Sequence, residues 1–273
     1  MLCIRAYRAL NRASVIIKQA IEGPNTVTRL KNLARYSRWF APYKLPEVQK
    51  HGFSWEKDLI RNVYGVTDDE LKLIKYTSKM DLPRSLNRKD AVDVSFKTTC
   101  SPNAVCMADC LRVYDAVSSA NPFHMTVVYY RQCDEKNTKN LISITEVVLT
   151  GSTQLLFGSI TREELAELDR AVKTVPQKRS PTADEYRTMY AIRDRIQVKS
   201  GAIHLDIKCN SQQSRLQCSF NRFQQFLKDN PERIVEQSTN GYFRGGHVTE
   251  TVSSSRRVLK KSAPLPEPDS APH

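Results

Sequence analysis

The sequence predicts a mixed α/β (α+β) domain, with a central mixed sheet flanked by helices and a late β-hairpin. Three observations predict it. Helical and strand periodicities alternate through the middle of the chain. Two pairs of strand patterns are separated by polar turns, one central and one late. Apolar residues make up 40% of the 273 residues and charged residues 26%, a balance that folds around a core.

The elements follow in order. Phe53, Trp55, Leu59, Ile60 and Val63 recur at helical spacing with Ser54 near the start, so a helix over Phe53–Val63 opens the domain. Thr67-Asp-Asp-Glu is a capping sequence for a helix over Thr67–Tyr76. Ala91–Thr98 alternates, with Val92, Val94 and Phe96 on one side and Asp93, Ser95 and Lys97 on the other. That pattern is a half-buried strand with a polar face. Ala104–Val117 reads as a helix, and Met125–Tyr130 and Leu141–Leu149 as strands around the polar loop Cys133–Asn140. Thr161-Arg-Glu-Glu opens a helix that runs to about Val172. Pro176–Pro181 is a loop and Asp184–Gln197 is helical. Ala202–Cys209 and Arg215–Phe220 are two late strands around a Cys209–Ser214 turn, and Phe223–Leu227 is a short helix.

Charge sets the boundaries. Lys and Arg number 42 against 29 acids, a net +13, which suits a polyanionic partner. Residues 1–50 carry +8 of that charge, with Glu22 and Glu47 as the only acids. Residues 1–45 form a basic extension, whose composition fits a mitochondrial presequence, an arm on phosphates or a solvated segment alike. Residues 46–246 form the folded domain. Residues 247–273, rich in Ser, Thr and Pro and carrying Arg256-Arg257 and Lys260-Lys261, are too polar to fold and form a disordered tail. No apolar run reaches the roughly 18 residues of a spanning helix, so no membrane partner is expected. Seven Cys, an odd number, point to a reducing compartment. The protein is expected inside the cell, in the cytoplasm, or in the mitochondrion or nucleus if the arm or tail directs it there.

Several chemistries lack their signatures. The chain has no GxxxxGK[ST] or GxGxxG loop, no second cysteine pair at zinc spacing beside Cys106 and Cys110, and no nucleophile-elbow serine. A carboxylate-and-lysine constellation remains. Asp81 follows a helix; Ser95-x-Lys97 comes fourteen residues later on the polar face of a strand, with Asp93 two positions before it and Glu56 on the preceding helix. Alternate strand residues face one way, so these groups meet at one sheet edge. Carboxylates that hold a divalent ion against a phosphate, with a cation beside them, are the parts that phosphodiester hydrolysis needs. Surface charge on an edge strand gives the same pattern.

The ordered blocks resemble the PD-(D/E)xK nuclease superfamily and, more narrowly, type II restriction endonucleases. The resemblance covers about Gly52–Leu227. It rests on Gly52-Phe-Ser-Trp-Glu56-Lys-Asp-Leu, Tyr76-Thr-Ser-Lys-Met-Asp81-Leu-Pro, Asp93-Val-Ser-Phe-Lys97-Thr-Thr, Val105-Cys-Met-Ala-Asp109-Cys-Leu-Arg112, Lys199-Ser-Gly-Ala-Ile203 and Ser214-Arg-Leu-Gln-Cys-Ser-Phe220. It implies a restriction-endonuclease-like fold, Mg2+ as cofactor and site-specific cleavage of double-stranded DNA by magnesium-activated water. Asp81, with Glu56 and Asp93, would hold the metal, and Lys97 would orient the water. Cutting two strands implies a homodimer, and a restriction role implies a cognate DNA methyltransferase. The chain departs from the family at two places: Met80 stands where proline usually precedes the Asp, and Ser95 where the acid of acid-x-Lys is expected. A protein of the same fold that binds DNA or RNA without cutting is the alternative.

Asp206-x-Lys208, with Asp194 upstream, is a rival site and a literal Asp-x-Lys. It ranks second because it lies in the block expected to contact DNA. There Arg215 and Gln217 alternate with Leu216 and Cys218, and both suit purine edges in the major groove. Lys199 and Lys208 are the expected phosphate contacts, and Arg112, in the block after the catalytic strand, is a further DNA contact.

Overall fold

The computed structural model describes residues 54–73, 80–176 and 179–253. The basic extension and the tail beyond Ser253, with Arg256-Arg257 and Lys260-Lys261, lie outside the described residues, as does the end of the helix expected over Thr67–Tyr76. Among the described residues the strands form a five-stranded mixed sheet, a three-stranded antiparallel sheet and a two-stranded hairpin.

Helix α1 runs over residues 54–58 and continues as a π-turn over Leu59–Val63. Trp55, Leu59, Ile60 and Val63 are all buried, the face that the periodicity predicts. Gly65, at φ +70°, ends it in the left-handed conformation that favours glycine. Helix α2 (Asp68–Leu73) is capped reciprocally: the Thr67 backbone N–H donates to Glu70 Oε2 at 2.8 Å, and the Glu70 N–H to Thr67 Oγ1 at 3.4 Å.

Strand β1 (Asp93–Thr99) lies at one edge of the five-stranded sheet, parallel to β3 (Phe123–Cys133). Strand β4 (Thr138–Val148) pairs antiparallel with β3. Between β1 and β3 the chain makes β2 (Val105–Asp109) and helix α3 (Cys110–Ser118). The continuous helix expected over Ala104–Val117 is therefore half strand. A bulge between Cys106 and Ala108, with Ala108 at φ 91°, breaks helical geometry there, and pairing with a late strand takes up the backbone groups.

Helices α4 (Thr153–Phe157), α5 (Arg162–Thr174) and α6 (Ala183–Gln197) follow. The last two begin with capping boxes at Thr161/Glu164 and Thr182/Glu185. Strands β5 (Ile203–Asn210) and β6 (Gln213–Phe220) form the late hairpin, in the order β2-β6-β5. One face of this sheet is apolar: Val105, Met107, Ile203, Leu205, Leu216, Cys218 and Phe220 join the larger core with α3, α5 and α6.

Helix α7 (Phe223–Asp229) leads to four short strands that the periodicity does not show: β7 (Ile234–Ser238), β8 (Tyr242–Phe243), β9 (Gly246–His247) and β10 (Thr251–Ser253). The fold thus continues past Gly246, where the disordered tail was expected to begin. Val248 is fully buried, and β10 pairs with β4. The polar composition misleads because the contacts here are made mostly by backbone. Trp55 Nε1 donates to the Thr249 carbonyl at 2.8 Å and Asn62 Nδ2 to the His247 carbonyl at 3.0 Å. A Cβ on Gly246 would sit 2.4 Å from the Asn62 carbonyl oxygen, so only glycine lets β9 lie this close to α1.

A buried charge cluster ties the same segment to the sheet. Glu146 on β4 is fully buried and accepts from both Arg244 Nη1, at 3.0 Å, and Tyr64 Oη, at 3.1 Å. His124 Nδ1 lies 2.7 Å from Glu146 Oε1, and Arg244 also pairs with Asp90. A buried carboxylate persists only when matched in this way. The smaller core packs α1, Leu82, Val94, Phe96, Val128, Ile144 and Val248 on this side of the sheet.

Candidate active site

Asp81 enters the site through one backbone pairing. The Leu82 N–H donates to the Val94 carbonyl at 3.0 Å and the Val94 N–H to the Leu82 carbonyl at 2.8 Å. In this antiparallel register Asp81 stands opposite Ser95. The loop between them is closed by Asn87, whose Oδ1 accepts from the Lys89 and Asp90 N–H groups at 3.0 and 3.1 Å, and whose Nδ2 donates to the Val92 carbonyl. A side chain that mimics a turn here makes the fourteen-residue spacing close on itself.

Three donors converge on Asp81 Oδ2: Ser95 Oγ at 2.8 Å, the Phe96 backbone N–H at 2.7 Å and Lys97 Nζ at 3.4 Å. Lys97 Nζ also donates to Ser95 Oγ at 2.6 Å. The Lys97 side chain is 16% exposed and that of Asp81 34%, so the group sits inside a cleft yet open to it. Glu56, on α1, is within electrostatic reach. Burial, and then the Asp81 charge, push its carboxyl up to about 7, while Lys97 and Lys57 pull the other way. The structure therefore brings three of the five residues expected for catalysis, Asp81, Ser95 and Lys97, into direct contact, with Glu56 coupled to them through its charge.

Asp93 is not brought in. It shares the Ser95–Lys97 face, but its Oδ1 accepts from the Arg84 backbone N–H at 2.8 Å, which turns it toward the loop. Among the described residues no three His, Cys, Asp or Glu side chains gather to hold a metal ion, so the expected set of Asp81, Glu56 and Asp93 is not assembled. Magnesium binds through one or two carboxylates and completes its shell with substrate phosphate and water. Asp81 and Glu56 are the carboxylates that could contribute to such a shell, and among the described residues no hydrogen bond reaches Asp81 Oδ1.

The opposite wall of the cleft comes from Met107, Ala108, Asp109 and Arg112, at the end of β2 and the start of α3. Nothing in the sequence pattern marks Asp109 or the strained Ala108 as site residues. The signal that marks this wall is the bulge, which depends on pairing with β6.

The expected DNA contacts separate. Lys208 and Arg215 face each other across β5 and β6, and both are exposed. Gln217 shares their face but is only 7% exposed, and the Cys106 thiol lies 3.7 Å from its Oε1. Gln217 is not an accessible base reader, because β6 is the central strand and both neighbours crowd it. Lys199 is held by Glu164 at 2.5 Å and lies away from the cleft. At the rival site, Asp206 accepts from Ser219 Oγ at 2.7 Å, and Asp194 pairs with its neighbour Arg193 at 2.5 Å. No lysine contacts either carboxylate among the described residues.

No helix among the described residues is long and apolar enough to cross a membrane. No protein-family model, curated protein or solved structure matches the chain.

Proposed function

We propose that the protein is a magnesium-dependent, site-specific endonuclease of the PD-(D/E)xK type, acting on phosphodiester bonds of double-stranded DNA. The convergence of Asp81, Ser95 and Lys97 within 2.6–3.4 Å, with Glu56 in electrostatic reach, carries this reading. The topology supports it: an Asp-bearing segment pairs antiparallel with a strand bearing x-x-Lys, and a helical crossover leads to a parallel neighbour.

When bound, magnesium would supply positive charge against a phosphate oxygen. Asp81 Oδ1 and the Glu56 carboxylate would hold it. Lys97 is held by Ser95 and Asp81 on the polar face of β1, where its ammonium can orient water and offset the charge that develops on phosphorus oxygens. Ser95 acts as a link, accepting from Lys97 and donating to Asp81. A serine where the resembled family carries an acid, with no third carboxylate gathered, favours a second reading, a nuclease-fold protein that binds DNA or RNA without cutting.

Supercoiled plasmid incubated with magnesium, against an EDTA control, separates the two. Discrete linear fragments are expected; plasmid left intact but retarded in a gel would establish the binder. Lys97→Ala should lower cleavage by about 10²–10³-fold while DNA binding persists. Lys208→Ala should leave cleavage at a bound site intact, and the reverse outcome would move the site to Asp206.

A further inference from the structure

Arg112 is the third residue of α3, and its guanidinium makes no hydrogen bond or ion pair among the described residues. Two carboxylates lie at helical distance from it, Asp109 at i−3 and Asp115 at i+3, where such pairs usually form. Both are engaged elsewhere. Asp109 Oδ1 accepts the Arg112 backbone N–H at 3.0 Å as the helix cap. Asp115 takes the Arg162 guanidinium through both oxygens, at 2.6 and 3.0 Å. Among the described residues Arg112 therefore keeps its charge unmatched.

It does so on the wall facing Asp81, Ser95 and Lys97, in one cleft of about 70 Å³. A water needs about 10–15 Å³ of such space, so the cleft has room for a small tetrahedral oxyanion. On the β1 wall the lysine is already balanced by Asp81. Across from it stands a cation with no partner among the described residues, set there by a bulge that holds Ala108 at φ 91°. A non-glycine residue in that region costs about 1–2 kcal/mol, and such strain gathers where a side chain must be aimed.

We propose that Arg112 is the phosphate clamp of this cleft, its planar guanidinium taking two non-bridging oxygens of a phosphate seated against Lys97. Arginine matches that geometry bidentately, which lysine cannot. The assignment of that phosphate to a nucleic-acid backbone rests on the nuclease reading; the clamp does not depend on cleavage.

The experiment measures binding of a 20-bp DNA duplex to the full chain in EDTA, across a salt series, for wild type, Arg112→Gln and Arg112→Lys. Arg112→Gln should weaken binding about 10- to 100-fold. It should also flatten the slope of log affinity against log salt by about 0.9, the value of one phosphate contact. Arg112→Lys should restore the slope but only part of the affinity, an outcome that a merely structural role would not produce. Thermal unfolding of both variants should match wild type, since the guanidinium makes no contact to lose. Unchanged affinity and slope in Arg112→Gln, or no duplex binding by wild type, overturns the clamp. Cleavage of plasmid with an unaltered Arg112→Gln slope removes the clamp and leaves the nuclease; the predicted slope change without cleavage does the opposite.

Discussion

Glu56 shows at a single residue how burial near a like charge shapes both stability and chemistry. Its carboxyl is pushed to about 7 from the ordinary 4.5, by burial first and the Asp81 charge second. The folded protein therefore holds a proton that the unfolded chain has released, and stability falls as pH rises from 4.5 through 7. Glu56→Gln removes that penalty. The variant should match wild type near pH 4 and exceed it near pH 8 by up to about 3 kcal/mol. Urea unfolding in EDTA at the two pH values checks this, and a difference independent of pH would refute it. Ser95 makes the complementary point. Its hydroxyl both accepts and donates, at 2.6 and 2.8 Å, so it joins a cation to an anion where a carboxylate would only accept.

Among the elements, α1 and the segment 246–253 depend on each other. The helix carries Glu56, and three of its polar contacts run to the C-terminal backbone: Trp55 and Asn62 donate to Thr249 and His247, and Asp58 Oδ2 accepts the Thr249 N–H at 3.2 Å. Ending the chain at Ser253 should leave the thermal midpoint within a few degrees of full length. Ending it at Gly245 exposes the place of Val248 and strands the Trp55 N–H, at a cost of about 3–5 kcal/mol. That loss corresponds to a midpoint lower by roughly 6–20 °C in a domain of this size. Calorimetry of both truncations decides the matter, and equal midpoints would show that the segment does not hold the helix.

For the whole molecule, the excess of cations is the property that any polyanion meets first. A net charge of +13, with Lys208, Arg215 and Arg112 exposed on the described surface, should make DNA binding steeply dependent on salt. Each phosphate neutralised contributes about −0.9 to the slope of log affinity against log salt. Several contacts should give a slope of about −3 or steeper, measurable by fluorescence anisotropy between 50 and 300 mM salt. A flat line would mean that the charge serves no nucleic-acid backbone.

What could be read from residues alone was local. Caps at Thr67 and Thr161, the Val92–Val94–Phe96 alternation and the late hairpin all form as the sequence pattern predicts, because each depends on neighbours within a turn or a strand. The spacing of Asp81, Ser95 and Lys97 was legible too, since a short loop and a two-residue strand repeat bring them together. Pairing between distant segments decided the rest. Residues 105–109 carry an apolar pattern that suits a helix until β6, a hundred residues later, takes up their hydrogen bonds. Asp93 has the right parity for the site, yet the Arg84 N–H claims its carboxylate. Gln217 has the parity of an exposed reader, but alternation tells only which face a residue is on, not whether its strand is central. The polar segment past Gly246 folds because α1 and β4 offer partners for its backbone, and composition does not encode partners.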